Sequence, residues 1–331
     1  MPNPYISGTG FYLPPRIVTN DELSSYMDTT DEWIQDRTGI KERRYVEKGV
    51  GPSDLAIPAT EQALEAAGLT VSDIDFIIFA TSTPDFYAPG SGCVLQEKMG
   101  FNEIGALDIR VQCSGFIYGL SIAEQYIRTG NFKNILLIGA EVQSTAMNLT
   151  DEGRDTAIIF GDGAGAAIIS ATEENRGILS THMHSEGKYL KELWLEAPAS
   201  NAGHPRITRE VLDEGKQYLK MNGKEVFRHA ITRFPEVINE ALEANNLTSE
   251  NINLLIPHQA NLRITQMVQK RLGLSNDQVF SNIHKYGNTT AATIPIALAE
   301  AFNEGRIKEG DILVLAAFGA GFTWGSCLLR Y

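Results

Sequence analysis

Three short stretches carry side chains suited to covalent chemistry at a carbonyl. In VQCSGF (111–116), Cys113 stands where a strand-like run, Ile109 and Val111, gives way to a helix-like pattern of Phe116, Ile117, Leu120 and Ala123. Unpaired N–H groups and the positive end of the dipole at a helix N-terminus favour thiolate, the nucleophilic form, over thiol. Ser114 and Gly115 leave room for a substrate to reach the sulfur. In IPHQAN (256–261), His258 emerges at a strand end broken by Pro257, and open α/β sheets bind ligands at that edge. In HKYGNTTAA (284–292), Asn288 follows Gly287. Each has a plainer reading: a small core thiol, a structural histidine, a helix-capping asparagine.

Two glycine-rich stretches accompany them. IIFGDGAGAAII (158–169) runs into an apolar, strand-like segment instead of opening a helix, so the phosphate-loop reading fails. AAFGAGFTWGSCLL (316–329) repeats the strand, glycine, strand design, and its bare backbone can bring N–H groups to a reacting carbonyl.

The elements that position these residues are written twice. ALEAAGLTVSDIDFII (63–78) and ALEANNLTSENINLLI (241–256) share eight of sixteen positions at an offset of 178. Each predicts a helix ending in Gly or Asn, a turn and a core strand. Seventeen residues separate Cys113 from Gly130, and seventeen separate Asn288 from Gly305. This spacing predicts that Cys113 and Asn288 occupy equivalent corners of two α/β halves, residues 1–172 with the cysteine and 173–331 with His258 and Asn288. Strands alternating with helices point to layered α/β architecture, and sites favour such domain junctions.

The totals exclude several classes. With 331 residues, 43% of them hydrophobic and 21% charged, the chain can fill two domain cores. Its net charge of −13 argues against nucleic acid as a partner. The longest apolar stretch, Ile312 to Phe322, is far short of a bilayer span, and the N-terminus has no signal layout; the expectation is a cytoplasmic protein with no membrane partner. Three widely spaced cysteines (Cys93, Cys113, Cys327) indicate neither a disulfide frame nor a zinc site. Against the acidic background Lys220, Lys224, Arg228 and Arg233 cluster, with Arg263, Lys270 and Arg271 later. A solvated helix face explains either group, and so does a dock for an acidic partner.

QCSGF, IFGDGAGA, IPHQAN, KYGNTTAA and FGAGFTWGS, in this order, closely resemble the β-ketoacyl-acyl carrier protein synthase III family of the thiolase superfamily, from DEWIQDRTGI (31–40) to the C-terminus. The resemblance implies a thiolase-like, five-layer αβαβα fold, a homodimer, and a catalytic triad of Cys113, His258 and Asn288. It implies acyl transfer from acyl-CoA to the cysteine, then decarboxylation of malonyl-acyl carrier protein and condensation to a 3-oxoacyl thioester. The backbone N–H groups of Cys113 and Ala320 would form the oxyanion hole, and Phe318 would gate the cysteine. Trp33, Arg37, Arg154 and Gly223 would contact coenzyme A, and Arg263, Lys224 and Arg228 would dock the carrier protein. No metal or redox cofactor is called for.

Many primer-forming members have AACAGF and a bulky aromatic before a Pro-Ser that closes the acyl pocket. Here VQCSGF stands instead, Ala88 precedes Pro89-Gly90, and Phe86 and Tyr87 are set back. The segment 185–207 looks longer than in compact members. A roomier acyl pocket for primers longer than acetyl is expected. A thiolase would need a second cysteine at Ala317, and an elongating synthase a second histidine at Asn288. A secondary-metabolism ketosynthase or acyltransferase with another acceptor is the alternative, and a catalytically silent scaffold is the reading from a different class.

Overall fold

The doubled pattern becomes two sheets with one strand order. A computed structural model describes residues 1–331, the side chain of Ala202 excepted. In the first sheet the strands run Asn3–Tyr12, Gly163–Thr172, Asn134–Glu141, Phe76–Ala80, Gly105–Ile109. The second runs Gly177–Ser185, Thr323–Arg330, Ile312–Gly319, Leu254–Pro257, and Val279 bridges onto its outer strand at Leu255. Parallel and antiparallel pairings fall in the same places in both.

Helices Gly115–Arg128 and Thr293–Asn303 lie between the sheets. Phe116, Ile117 and Leu120 from one helix and Ile294, Ala297 and Leu298 from the other are sealed into a core shared with both sheets. Burying each large apolar side chain contributes roughly 1.5–3 kcal/mol. Pro52–Ala67 covers the outer face of the first sheet, and Gly223–Ala244 with Leu262–Leu272 covers that of the second. These are the five layers of a thiolase-like αβαβα fold.

A short turn precedes each central helix, Gln112–Ser114 in one half and Thr290–Ala292 in the other. Each opens on a residue with left-handed backbone, Gln112 (φ 45°) and Thr290 (φ 52°). For a branched residue such as threonine this costs of order 1–3 kcal/mol and needs surroundings that hold it. Gly139 permits the close approach: a Cβ there would stand 2.3 Å from the Ala291 carbonyl oxygen.

This register corrects one expectation. The turns and the helix starts are 178 residues apart, so the counterpart of Cys113 is Ala291, and Asn288 sits three residues earlier. The equal distances to Gly130 and Gly305 misled because the second central helix has 11 residues and the first 14. A shorter helix cancelled the shift.

Candidate active site

Cys113 sits in the turn that enters the first central helix, and its side chain is 5% exposed. The N–H groups of Cys113 and Ala320 are directed at its sulfur. Gly319 closes from behind, where a Cβ would lie 2.5 Å from Cys113 Cβ and 3.0 Å from Sγ. The expected thiolate is not what this pocket favours. Burial, and secondarily the charge of Glu141, push the thiol up to about 12. The helix terminus contributes about 0.3–1 kcal/mol, whereas desolvation shifts buried groups by up to about 3–5 pK units. At rest Cys113 is a neutral thiol.

His258 follows the strand Leu254–Pro257 and is anchored by its N–H to the Ala316 carbonyl at 2.8 Å. The ring is buried, which pushes its pKa down to about 3 and keeps it neutral. Nδ1 lies 2.6 Å from Thr293 Oγ1, and that hydroxyl donates to the Thr290 carbonyl at 3.1 Å. With its one proton so placed, the hydroxyl accepts from Nδ1–H, which leaves the lone pair on Nε2. Nε2 has no partner among the described residues.

Asn288 belongs to a loop stitched to the other half. Its N–H donates to the Ile159 carbonyl at 2.9 Å, and its carbonyl accepts from Gly161 N–H at 3.1 Å. Its Oδ1 accepts from Thr290 N–H at 2.8 Å, so the amide NH₂ is the end left for a ligand.

The rest of IPHQAN holds the surroundings. Gln259 Nε2 donates to the Pro257 carbonyl at 2.6 Å, and its Oε1 accepts from Ser281 Oγ and Asn282 N–H. Asn261 caps the helix Leu262–Leu272 through Arg263 N–H at 2.8 Å and donates to the Arg37 carbonyl at 2.9 Å.

Cys113, His258, Asn288, Phe318 and Gly319 all line one cavity of about 640 Å³, whose walls come from both halves. Trp33, Arg37, Asn222, Gly223, Lys224 and Arg263 also line it. Helix Asp31–Thr38 is capped by Thr30 and stopped by Gly39 (φ 76°). It sets Trp33 and Arg37 four residues apart on one face, with the guanidinium 4.3 Å from the indole centroid. Arg154 reaches the same ring at 4.8 Å and donates to the Asp28 carbonyl. Arg228 is not among the cavity walls; it is exposed and pairs with Glu225 on its own helix. Phe318 is buried, with its ring 4.8 Å from Phe322.

A second cavity of about 400 Å³ also reaches Cys113 and Ala320, and its walls include Phe160, Leu193 and Leu219 together with Ser82, Thr83, Gln112 and Gln143. Tyr87 lines it. Phe86 and Ala88, expected beside Tyr87 in an acyl pocket, are not among its walls, and Phe86 is 58% exposed. Two buried side chains escaped the sequence reading: Thr293, bonded to the imidazole, and Glu141, whose charge acts on the thiol. Each had one faint signal: a hydroxyl at the start of an apolar helix, and a carboxylate ending the strand NILLIGAE.

With the geometry in hand, comparison with known proteins is specific. Residues 107–187 match the family described as 3-oxoacyl-[acyl-carrier-protein (ACP)] synthase III, and residues 242–331 match its C-terminal counterpart. The beta-ketoacyl-[acyl-carrier-protein] synthase III of Caldanaerobacter subterraneus subsp. tengcongensis is 46% identical over 326 residues, 98% of this chain and 97% of that one. The protein of the same name from Xanthomonas campestris pv. campestris is 45% identical over 329 residues, 98% of each chain. Among solved structures, the 3-oxoacyl-[acyl-carrier-protein] synthase III of Aquifex aeolicus VF5 superposes with a TM-score of 0.90 at 42% identity, over 99% of this chain and 100% of that one. The priming beta-ketosynthase of the R1128 polyketide biosynthetic pathway gives 0.91 at 30% identity, over 99% and 96%. A neutral thiol, an imidazole with a free nitrogen and a carboxamide, gathered at the meeting of two like halves, thus go with matches along nearly the whole sequence, and the chain belongs to the 3-oxoacyl-[acyl-carrier-protein] synthase III family of the thiolase superfamily.

Proposed function

We propose that this chain transfers an acyl group from acyl-CoA to Cys113 and condenses it with malonyl-acyl carrier protein, releasing CO₂ and a 3-oxoacyl thioester. The observation that carries the reading is the single cavity shared by Cys113, His258 and Asn288 with Trp33 and Arg37.

As Cys113 Sγ attacks the thioester carbonyl, its proton passes to His258 Nε2, the nitrogen with the lone pair. The developing oxyanion lies against the N–H groups of Cys113 and Ala320. Collapse expels the CoA thiolate, which takes the proton from Nε2 and departs as the thiol. In the second half, loss of CO₂ from the malonyl group leaves an enolate. The Asn288 NH₂ is one donor to its oxygen; Nε2 is the other once the neutral imidazole has exchanged its proton from Nδ1 to Nε2 through water, with the Thr293 hydroxyl then donating to Nδ1. Loss of one such donor costs about 2.7–4 kcal/mol of barrier. The enolate carbon attacks the acyl-cysteine, the tetrahedral intermediate collapses, and the sulfur is reprotonated.

Trp33 with Arg37 and Arg154 offers an indole face and two guanidiniums to the nucleotide of CoA. Gly223 flanks the tunnel, and Lys224, Arg228 and Arg263 present positive charge to an acidic carrier protein. The second cavity supports acyl chains longer than acetyl, with Tyr87 in its wall. A cytoplasmic homodimer belongs to the same reading. Supporting it, strand Gly105–Ile109 is a free sheet edge, Phe86 and Tyr87 are exposed, and no helix among the described residues is long and apolar enough to cross a membrane.

Intact-mass measurement after incubation with acetyl-, butyryl- and octanoyl-CoA tests the proposal. An acyl adduct is expected, absent in Cys113→Ser, and an unmodified wild-type chain with every thioester refutes it. Acetyl-CoA as the sole donor refutes the longer-chain reading.

A further inference from the structure

Glu141 is a carboxylate that the steps above do not use. It ends the strand Asn134–Glu141 and is wholly buried. Ser82 N–H reaches both of its oxygens at 3.1 Å, Ser82 Oγ donates at 2.9 Å, Thr83 Oγ1 at 2.7 Å and Gln143 Nε2 at 3.2 Å. The Ala291 N–H, from the other half, also donates. Ala291 is the counterpart of Cys113 in the second turn, and the position of a Cβ on Gly115 lies 3.4 Å from Ala291 Cβ. The donors that hold the carboxylate therefore also frame the nucleophile. Ser82, Thr83, Gln143, Gln112 and Cys113 all line the smaller cavity.

We propose that Glu141 is a positioning residue for the reaction at Cys113: one buried carboxylate gathers the Thr81–Thr83 loop, Gln143 and the Ala291 N–H into a single wall beneath the nucleophile, and its charge sets the field in which the sulfur reacts. This rests on the acyl-transfer reading above. Every donor to the carboxylate is a neutral group, so its charge is spread over hydrogen bonds and not cancelled by a cation. Above about pH 7, where Glu141 is ionised, that charge disfavours a free thiolate beside it. Added to burial, the larger cause, it helps keep Cys113 a thiol, poorly reactive toward oxidants and alkylating agents, until a bound thioester allows attack and proton transfer together. The other titratable or charged groups around this centre are His258 in the larger cavity, Tyr87 and Arg110 among the walls of the smaller one, and Arg37, Asp155, Lys224 and Arg263 among the walls of the larger.

The test follows carbamidomethylation of Cys113 by iodoacetamide against pH, read by mass on the peptide that carries Cys113 because Cys93 is an exposed thiol, beside acyl-enzyme formation from acetyl-CoA. Glu141→Gln is expected to move the alkylation profile toward acid by about one pH unit, while acyl transfer slows. Glu141→Asp keeps the charge on a shorter stem and is expected to hold the wild-type profile with slower acyl transfer. A wild-type profile in Glu141→Gln overturns the proposal, and so does an equal acid shift in Glu141→Asp, which would mark a loosened pocket. Should Glu141→Gln not fold, wild-type acyl transfer in Glu141→Asp overturns it. Iodoacetamide needs no thioester: a wild-type enzyme that takes no acyl group refutes the functional reading and leaves the alkylation result standing.

Discussion

Thr293→Val isolates the group that sets the imidazole. Valine keeps the branched shape at a residue 2% exposed, so packing changes little. What is lost is the hydroxyl 2.6 Å from His258 Nδ1, together with its own bond to the Thr290 carbonyl. A buried N–H left without an acceptor costs about 1–3 kcal/mol. His258 can avoid that cost by moving its proton to Nε2, the nitrogen that must be empty to accept from the thiol. Applied to the barrier for acylation, the same energy slows acyl-enzyme formation roughly five- to 150-fold. Decarboxylation of malonyl thioester needs a donor at Nε2, so it should fall less. Rapid-quench intact mass gives the first rate and CO₂ release the second. Thr293→Ser, which restores an acceptor, should recover most of the acylation rate. Wild-type acylation in Thr293→Val, or equal loss in Thr293→Ser and Thr293→Val, would refute the tautomer argument.

Gly319→Ala places a methyl 2.5 Å from Cys113 Cβ and 3.0 Å from the sulfur; the acyl adduct should disappear while circular dichroism stays native, and normal acylation would show that the strand can retreat. Stability should carry two opposed pH slopes. His258 is held at about 3 in the folded state against 6.5 for a free imidazole, so its contribution is complete above pH 6.5 and is lost as pH falls toward 3. Glu141 is raised from 4.5 to about 7, so its contribution is complete below pH 4.5 and is lost as pH rises to 7. In His258→Gln only the second slope survives, and its urea midpoint relative to wild type should climb as pH is lowered from 6.5 to 4.5; a pH-independent difference would contradict the assigned burial.

Much of this was legible in the chain. The duplication shows as sequence identity because both copies must make the same helix, turn and strand against the same kind of sheet. That Cys113, His258 and Asn288 would meet in one cavity was legible from their glycine, proline and amide neighbours, which the structure uses as caps and turns. Energetic competition was less visible. A helix start favours thiolate and burial opposes it; only the depth of Cys113, unreadable from neighbours in sequence, decides the outcome. Thr293 and Glu141 were missed because threonine at a helix start and a carboxylate after an apolar strand are ordinary at the surface, and here both are sealed inside. The mismatched pairing of Cys113 with Asn288 came from counting to a glycine across helices of unequal length.

The cavity draws its sulfur from the first half and its imidazole and carboxamide from the second. On the ribosome, the cysteine therefore emerges well before the groups that would make it reactive. A nascent or half-folded chain has the thiol without the imidazole and carboxamide beside it. Competence appears only when the last strands dock, so acyl transfer is itself a report that the whole polypeptide has been assembled.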